Sequence, residues 1–142
     1  MKFCRINLHK TNYEMLPNAS LAKCQDINVN LLQDLYKKYC IYKKFSSVMP
    51  IFAREFYENN IIVYKDCEEI VAFSMIGVYD TKNIENYQFA WNYEKPKLRL
   101  GIKSLEHECA YYKKAGYDNY YLGEVDEYKK QFDGFEVLKG YN

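Results

Sequence analysis

The chain has 142 residues, of which 49% are hydrophobic and 27% are charged, and a formal net charge of +1. These proportions are those of an ordinary globular protein and exclude a disordered or fibrous chain. The near balance of 20 basic and 19 acidic residues argues against a broad basic surface for nucleic acid or an anionic membrane. The length predicts one domain over residues 1–142, because domains cluster at roughly 100 to 150 residues.

The cysteines and the hydropathy pattern indicate the cellular compartment in which we expect the protein. Five cysteines are an odd number without CxxC spacing, so they predict neither a disulfide framework nor a metal site. We expect reduced thiols and a cytoplasmic protein. No run approaches the roughly 18 apolar residues of a membrane span, and the N-terminus lacks the apolar stretch of a secretory signal.

Hydrophobic periodicity predicts the elements of the first third. Lys2–Leu8 alternates with period two, which indicates a short strand near a sheet edge. Asn28–Phe45 carries apolar residues at helical spacing and predicts an amphipathic helix. Pro50 can open a second helix through Ile51–Tyr57, since proline is tolerated in the first helical turn.

The middle of the chain is predicted as a three-stranded meander. Ile61–Lys65 and Ile70–Tyr79 are rich in β-branched and aromatic residues and flank a polar turn, which indicates an antiparallel hairpin. Asp80–Glu85 is predicted as a polar connection. Tyr87–Tyr93 then forms the third strand.

The last third alternates helix and strand. Apolar residues spaced by three and four predict a helix over about Gly101–Ala115, followed by a strand at Asn119–Gly123. Glu124–Phe132 is predicted to hold a helical turn or two, and Phe135–Gly140 a final strand. Because a crossover helix normally leaves its flanking strands parallel, the strands before and after it should be parallel neighbours that splay at their C-terminal ends.

This order of elements resembles the GNAT superfamily of acyl-CoA N-acyltransferases over roughly Lys2–Lys139. The resemblance implies an α/β fold with a mixed, mostly antiparallel sheet, a splayed parallel strand pair and flanking helices. It also implies direct transfer of an acyl group from acetyl-CoA or another acyl-CoA to a primary amine. The acceptor would be a small amine, a peptide N-terminus or a lysine; no membrane partner is expected, and a homodimer is left open.

A loop before the second predicted helix is the candidate cofactor site. Consecutive backbone N–H groups at a helix start can bind pyrophosphate. GNAT enzymes hold coenzyme A with an Arg/Gln-x-x-Gly-x-Gly/Ala loop, of which this chain keeps Gly101 but has Leu98 and Lys103 at the other two positions. The alternative is that Gly101 only starts the helix. The candidate cofactor-binding residues are Ala90, Trp91, Asn92, Arg99, Leu100, Gly101, Ile102, Lys103 and Ser104.

A second motif consists of Tyr120–Gly123 followed by Tyr128–Leu138. It resembles the end of the catalytic domain of arginyl-tRNA-protein transferases, Tyr-Tyr-Leu-Gly and then Tyr-Lys-x-x-Phe-x-Pro-x-Glu-x-Leu, with Gly134 in place of the proline. Fem-type peptidoglycan aminoacyltransferases carry a similar Phe-Lys-x-x-Phe-Gly-Gly. The alternative function is therefore aminoacyl transfer from charged tRNA, opposed by the small size and by a charge too low to neutralise tRNA phosphates.

Tyr128 and Lys129 are the candidate catalytic residues. Many GNAT enzymes present a tyrosine from this position to the coenzyme A sulfur, so the resemblance makes Tyr128 the proton donor to the leaving thiolate. Lys129 would stabilise developing charge. The competing interpretations are a core tyrosine for Tyr128, a solvated lysine for Lys129, and a non-catalytic coenzyme A-binding or regulatory domain for the chain.

Acyl transfer to an amine also needs a base. Glu85, Glu94 and Glu124 lie at the ends of predicted strands that should border the substrate groove, and their spacing does not choose among them. His107, flanked by glutamates in the second helix, is predicted to be exposed. Cys109 lies on the apolar stripe, where a buried thiol is inert, which excludes cysteine hydrolase chemistry.

Overall fold

The computed structural model describes residues 2–48 and 60–139. These residues form two α-helices and a seven-stranded sheet with the strand order β2-β3-β4-β5-β6-β1-β7. The elements are β1 Phe3–Asn7, β2 Ala19–Ala22, α1 Val29–Tyr42, β3 Asn60–Asp66, β4 Glu69–Val78, β5 Asn83–Trp91, α2 Leu100–Lys114, β6 Asn119–Glu124 and β7 Phe135–Val137. Within the described ranges, none of the helices has the length and apolar content that crossing a bilayer requires.

The chain divides into two compact units. Unit 1 comprises residues 2–15, 77–86 and 105–139 of the described chain, and unit 2 comprises residues 16–48, 60–76 and 87–104. β4, β5 and α2 each contribute residues to both units.

Unit 1 is built on β7, β1, β6 and the start of β5. β1 pairs antiparallel with both β6 and β7. β5 and β6 pair parallel, with Asn83–Glu85 opposite Asn119–Tyr121. The expected parallel neighbours are thus confirmed, and the alternation of residues along these strands determines what each face of the unit presents.

Two adjacent rows of residues across unit 1 differ in polarity, because successive strand residues point to opposite faces. Ile84 pairs with Tyr120 and Tyr120 with Ile6, and all three are fully buried. The next row along the strands is polar and runs from β5 to β7. Its members are Glu85, Tyr121, Arg5 and Glu136.

Unit 2 contains the antiparallel hairpin of β3 and β4, with β2 paired antiparallel to β3. The side chain of Asn28 accepts a hydrogen bond from the Asn30 N–H and caps the start of α1. The buried stripe of α1 then packs on the hairpin and β5. This core consists of Leu32, Tyr36, Cys40, Ile61, Val63, Phe73, Met75 and Ala90.

The structure confirms the GNAT-like arrangement of a mixed, mostly antiparallel sheet with one parallel pair, and both helices that it describes fall where their periodicity predicts. The 3₁₀ helix Glu127–Gln131 is the predicted helical turn. The predicted helix through Ile51–Tyr57 lies outside the described residues. β2 was not predicted, because its four residues show no alternation of buried and exposed positions.

Two strand boundaries differ from the prediction. β5 begins at Asn83 rather than Tyr87, because the Asp80 carboxylate accepts hydrogen bonds from the backbone N–H groups of Lys82 and Asn83 and closes the turn early. Glu85 therefore lies inside a strand and not in a connection. β7 ends at Val137, short of the predicted end of the final strand.

Candidate functional site

A cleft of about 540 Å³ opens on the polar row of unit 1, where the parallel pairing of β5 and β6 stops. Glu85 and Tyr121 form the last registered pair of these strands, and both line the cleft. We call this space the unit-1 cleft. Its lining residues are Phe3, Cys4, Tyr79, Asp80, Asn83, Glu85, Tyr121, Gly123 and Leu138.

Among the residues that the structure describes, two carboxylates and no lysine or arginine line the unit-1 cleft. Backbone N–H groups of the turn, foremost that of Lys82, lower the pKa of Asp80, so this side chain stays ionised. Glu85 is half-buried, and its carboxylate makes no hydrogen bond or ion pair with any residue in the described ranges. Glu85 is therefore an acid in the cleft whose oxygens are available to a ligand.

Tyr121 is held in place from two sides. Arg5 donates from Nη1 to the Tyr121 hydroxyl at 3.0 Å and from Nε to Glu136 at 3.0 Å, and its guanidinium lies 5.7 Å from the Tyr121 ring centroid. Tyr79 meets the same ring edge to face, with 5.8 Å between centroids. One wall of the cleft is thus a fixed aromatic surface.

A buried hydrogen-bonded chain fixes the other face of this strand pair. The Tyr120 hydroxyl donates to Glu108 of α2 at 2.6 Å and accepts from the Asn86 side-chain amide at 2.8 Å. Asn86 is the first β5 residue beyond the registered parallel pairing. Sequence reasoning did not find this chain of contacts, because Glu108 has the polarity of an exposed helix residue and is only 1% exposed.

The prediction that His107 is exposed is wrong, since it is 5% exposed and burial lowers its pKa. α2 buries a wider arc than its apolar stripe indicates. Cys109 is fully buried, and burial raises the pKa of its thiol well above the usual range. This bears out the prediction of an inert thiol.

The start of α2, the predicted coenzyme A site, belongs to unit 2. Arg99 adopts a left-handed conformation, and its carbonyl accepts from the N–H groups of Ile102 at 3.2 Å and Lys103 at 2.9 Å. A Cβ added to Gly101 would meet nothing within 4 Å. Arg99 and Lys103 are exposed, so positive charge surrounds an open helix start.

Several other residues predicted to bind the cofactor are already engaged. Leu100 and Ser104 are buried, and the Ser104 carbonyl accepts from the Tyr64 hydroxyl at 3.0 Å. Ala90 is fully buried, whereas Trp91 and Ile102 are half-buried. The Asn92 N–H donates to the Val71 carbonyl at 2.8 Å. That N–H is therefore already paired and is not available to the oxygen of a bound thioester.

Of the other candidate bases, Glu94 is exposed and lines a separate cleft of about 500 Å³ in unit 2. Glu124 is exposed at the end of β6. Burial and position in the unit-1 cleft thus distinguish Glu85 from Glu94 and Glu124. The spacing of the three glutamates in the sequence does not distinguish them.

The two predicted catalytic residues occupy the 3₁₀ helix that follows β6. Tyr128 is 45% exposed, and its ring meets Phe132 edge to face, so it is not a core tyrosine. Lys129 is not a solvated lysine: its side chain is 11% exposed. Its ammonium contacts the carbonyls of Leu122 and Glu124 at 3.0 and 2.8 Å and the Asp126 carboxylate at 3.0 Å. Because an ammonium has three donors, Lys129 ties this helix to the end of β6.

We expect Lys129→Ala to lower the free energy of unfolding by about 2 kcal/mol, because it leaves the Leu122 and Glu124 carbonyls without their charged donor. The neighbouring Lys130→Ala is the matched control, since Lys130 is 49% exposed and, among the described residues, forms an ion pair with Glu127 alone, three residues earlier. That change should cost less than about 0.5 kcal/mol. Urea denaturation measures both, and equal losses would contradict the bracing role of Lys129.

Comparisons with known proteins show a fold and no closer relationship. No protein-family model matches the chain, and no curated protein matches it in sequence. L-PGS from Bacillus licheniformis is similar with a TM-score of 0.66 and 16% identity, covering 87% of this chain and 46% of that one. The C-terminal domain of an Agrobacterium fabrum protein assigned as a lysylphosphatidylglycerol synthetase is similar with a TM-score of 0.60 and 14% identity. The match covers 87% of this chain and 46% of that one.

A third similar structure is the GCN5-related glucosamine N-acetyltransferase region of a fungal multi-domain β-N-acetylglucosaminidase. Its TM-score is 0.63 at 9% identity, with 96% of this chain and 19% of that one covered. The chain thus spans less than half the length of each of these three proteins. At such identities the likeness shows the fold, which is that of the GNAT-like N-acyltransferases.

Proposed function

We propose that this protein is an N-acyltransferase that moves an acyl group, in the simplest case acetyl, from acyl-CoA to a primary amine. The observation that carries the proposal is the half-buried Glu85 carboxylate, which lies in the unit-1 cleft at the last registered pair of the parallel strands. A carboxylate there suits the task of taking a proton from an incoming amine, directly or through one water. The GNAT-like fold supports the same reaction class.

The proposed reaction is a direct attack. Glu85 accepts a proton from the ammonium, and the neutral nitrogen adds to the thioester carbonyl and forms the C–N bond. Collapse of the adduct then breaks the C–S bond, and the second proton lost by the nitrogen passes to solvent. The thiolate leaves and takes a proton, for which Tyr128 is the proposed donor because a phenol with a pKa near about 10 suits a thiolate. The start of α2 is the proposed pyrophosphate site, with Arg99 and Lys103 supplying positive charge.

The proposed pyrophosphate site is tested by an isosteric pair of variants at Gly101. Since a side chain there meets open space, Gly101→Asn and Gly101→Asp should both fold, and they differ by one negative charge. We expect Gly101→Asp to weaken coenzyme A binding about tenfold relative to Gly101→Asn, because the carboxylate repels the pyrophosphate. Isothermal titration measures both affinities, and equal affinities would place the pyrophosphate elsewhere.

Aminoacyl transfer from charged tRNA is the second candidate function. The name of the Agrobacterium fabrum protein denotes a lysyl group joined to phosphatidylglycerol, and the Tyr128–Leu138 motif resembles aminoacyltransferases. Under this alternative Lys129 would face the aminoacyl ester. Its ammonium is instead held by three oxygens of its own chain, which favours the acyl-CoA donor.

The choice of donor is tested by offering the purified protein acetyl-CoA or lysyl-tRNA together with an amine. We expect transfer from acetyl-CoA, with coenzyme A released in step with product. Tyr128→Phe should lower kcat at least about 100-fold while leaving coenzyme A affinity unchanged, as expected for a proton given mainly in the transition state. Transfer from lysyl-tRNA alone, or coenzyme A binding without any transfer, would overturn the proposal.

A further inference from the structure

We propose, on the basis of the proposed function, that the acceptor is a dicationic alkyl amine: a diamine, or a lysine side chain beside a second positive charge. Amines that carry a carboxylate or a phosphate are excluded by the same site. The inference rests on three features of the unit-1 cleft: its charge, its aromatic lining, and the different positions and hydrogen bonds of its two acids.

The electrostatics of the unit-1 cleft favour a cation. Asp80 and Glu85 line it, and none of its lining residues within ranges 2–48 and 60–139 is a lysine or an arginine. Arg5, whose guanidinium lies over the Tyr121 ring, is already committed to Glu136 and to the Tyr121 hydroxyl. A carboxylate or phosphate on the acceptor would therefore face like charges without a partner, and like charges repel.

The aromatic lining suits an alkyl chain that ends in a cation. Phe3, Tyr79 and Tyr121 supply rings to the cleft, and Tyr79 and Tyr121 are locked edge to face. Methylene groups pack on ring faces, and an ammonium is attracted to the ring quadrupole. Tyr121 already receives one cation, the Arg5 guanidinium, at 5.7 Å from its centroid.

The carboxylates of Asp80 and Glu85 differ in the hydrogen bonds that they accept, and this difference indicates which of them binds the second ammonium and which takes the proton. Asp80 lies in the turn before β5, and its carboxylate is kept ionised by N–H donors of that turn. It is suited to hold a permanent ammonium. Glu85 lies in the strand where the parallel register ends, with oxygens that no described residue engages, and is suited to exchange a proton with the reacting nitrogen.

The test measures binding without any acyl donor, so that it does not depend on catalysis. Three probes of the same chain length differ in charge: cadaverine has two ammonium groups, n-pentylamine has one, and δ-aminovalerate adds a carboxylate. Isothermal titration at low ionic strength should give cadaverine the highest affinity, about threefold to tenfold above n-pentylamine, and no measurable heat for δ-aminovalerate. Half-molar salt should remove most of the cadaverine advantage.

Asp80→Asn tests whether Asp80 binds the second ammonium group of the ligand. The variant should keep the turn, since an asparagine oxygen can still accept the hydrogen bonds from the backbone N–H groups of Lys82 and Asn83. This variant should bind cadaverine and n-pentylamine equally. Glu127→Gln is the matched control, because its side chain is 90% exposed, lies outside the lining and loses the same charge. It should retain the wild-type preference.

Equal affinity of the wild type for the three probes, or a preference that survives Asp80→Asn, would overturn the inference. These outcomes are distinct from failure of the proposed function. If the probes bind in the expected order but acetyl-CoA gives no acylated product, the cationic site stands and the proposed reaction fails.

Discussion

Glu85→Gln is expected to lower kcat/KM for transfer from acetyl-CoA to an amine by about 100-fold to 10,000-fold, the usual contribution of a positioned base. The amide keeps the size and shape of the side chain but cannot accept the amine proton. Because the Glu85 carboxylate has no hydrogen bond or ion pair with any described residue, we expect the isosteric change to leave the fold intact. The rate should recover partly at high pH, where more of the amine is already deprotonated.

The control for this experiment is Glu127→Gln, an identical change of charge at an exposed position of the same unit. Its kcat/KM should stay within about twofold of the wild type, and the melting temperatures of both variants should match the wild type. A loss of less than about threefold for Glu85→Gln would show that another group takes the proton.

Gly134→Ala is expected to lower the free energy of unfolding by about 3 kcal/mol or more. Gly134 has a φ of +75°, and a Cβ there would lie 2.4 Å from the Asn7 carbonyl oxygen. That neighbour is backbone and is held in place, since the Asn7 N–H donates to the Gly134 carbonyl at 2.8 Å. The variant therefore combines left-handed strain with a collision between two backbone segments that are hydrogen-bonded to each other and cannot move apart cheaply.

Alanine substitutions at two other glycines serve as controls for this prediction, because smaller losses of stability are expected there. Gly123 has a φ of +78° and open space around a Cβ, so Gly123→Ala should cost only the conformational strain, about 1 kcal/mol. Gly101 lies in the first turn of α2, and a Cβ there would meet nothing within 4 Å, so Gly101→Ala should be neutral or slightly stabilising. Urea denaturation should rank the losses Gly134, Gly123, Gly101. Equal losses for the first two would show that the collision with Asn7 is relieved.

Local pattern was enough to predict the helices and strands that form the frame of the fold. The apolar stripes of α1 and α2 and the hairpin of β3 and β4 repeat with the periods that helices and strands impose. The start of β5 did not follow from such a pattern. It depends on the Asp80 carboxylate, which closes a turn by accepting backbone hydrogen bonds that no periodicity reports.

The candidate site was less predictable because its residues meet through long-range pairing. Arg5 and Glu136 are 131 positions apart, and Tyr121 joins them only through the register of β1 with its neighbours. By sequence alone Glu85, Glu94 and Glu124 were equivalent candidates for the base. The pairing of β5 with β6 shows that Glu85 lies in the cleft. Lys129 had the sequence context of a catalytic lysine, whereas its three oxygen partners become visible only once the chain has folded.

The most direct test of the central claim is product analysis by mass spectrometry. Purified protein is mixed with acetyl-CoA that carries an isotopically labelled acetyl group and with cadaverine, and the products are compared for the wild type, Glu85→Gln and Glu127→Gln. We predict labelled N-acetylcadaverine and equimolar free coenzyme A with the wild type and Glu127→Gln, and neither product above background with Glu85→Gln. Intact acetyl-CoA in all three mixtures, or equal product from wild type and Glu85→Gln, would contradict the assignment of this cleft as the acceptor site of an acyltransferase.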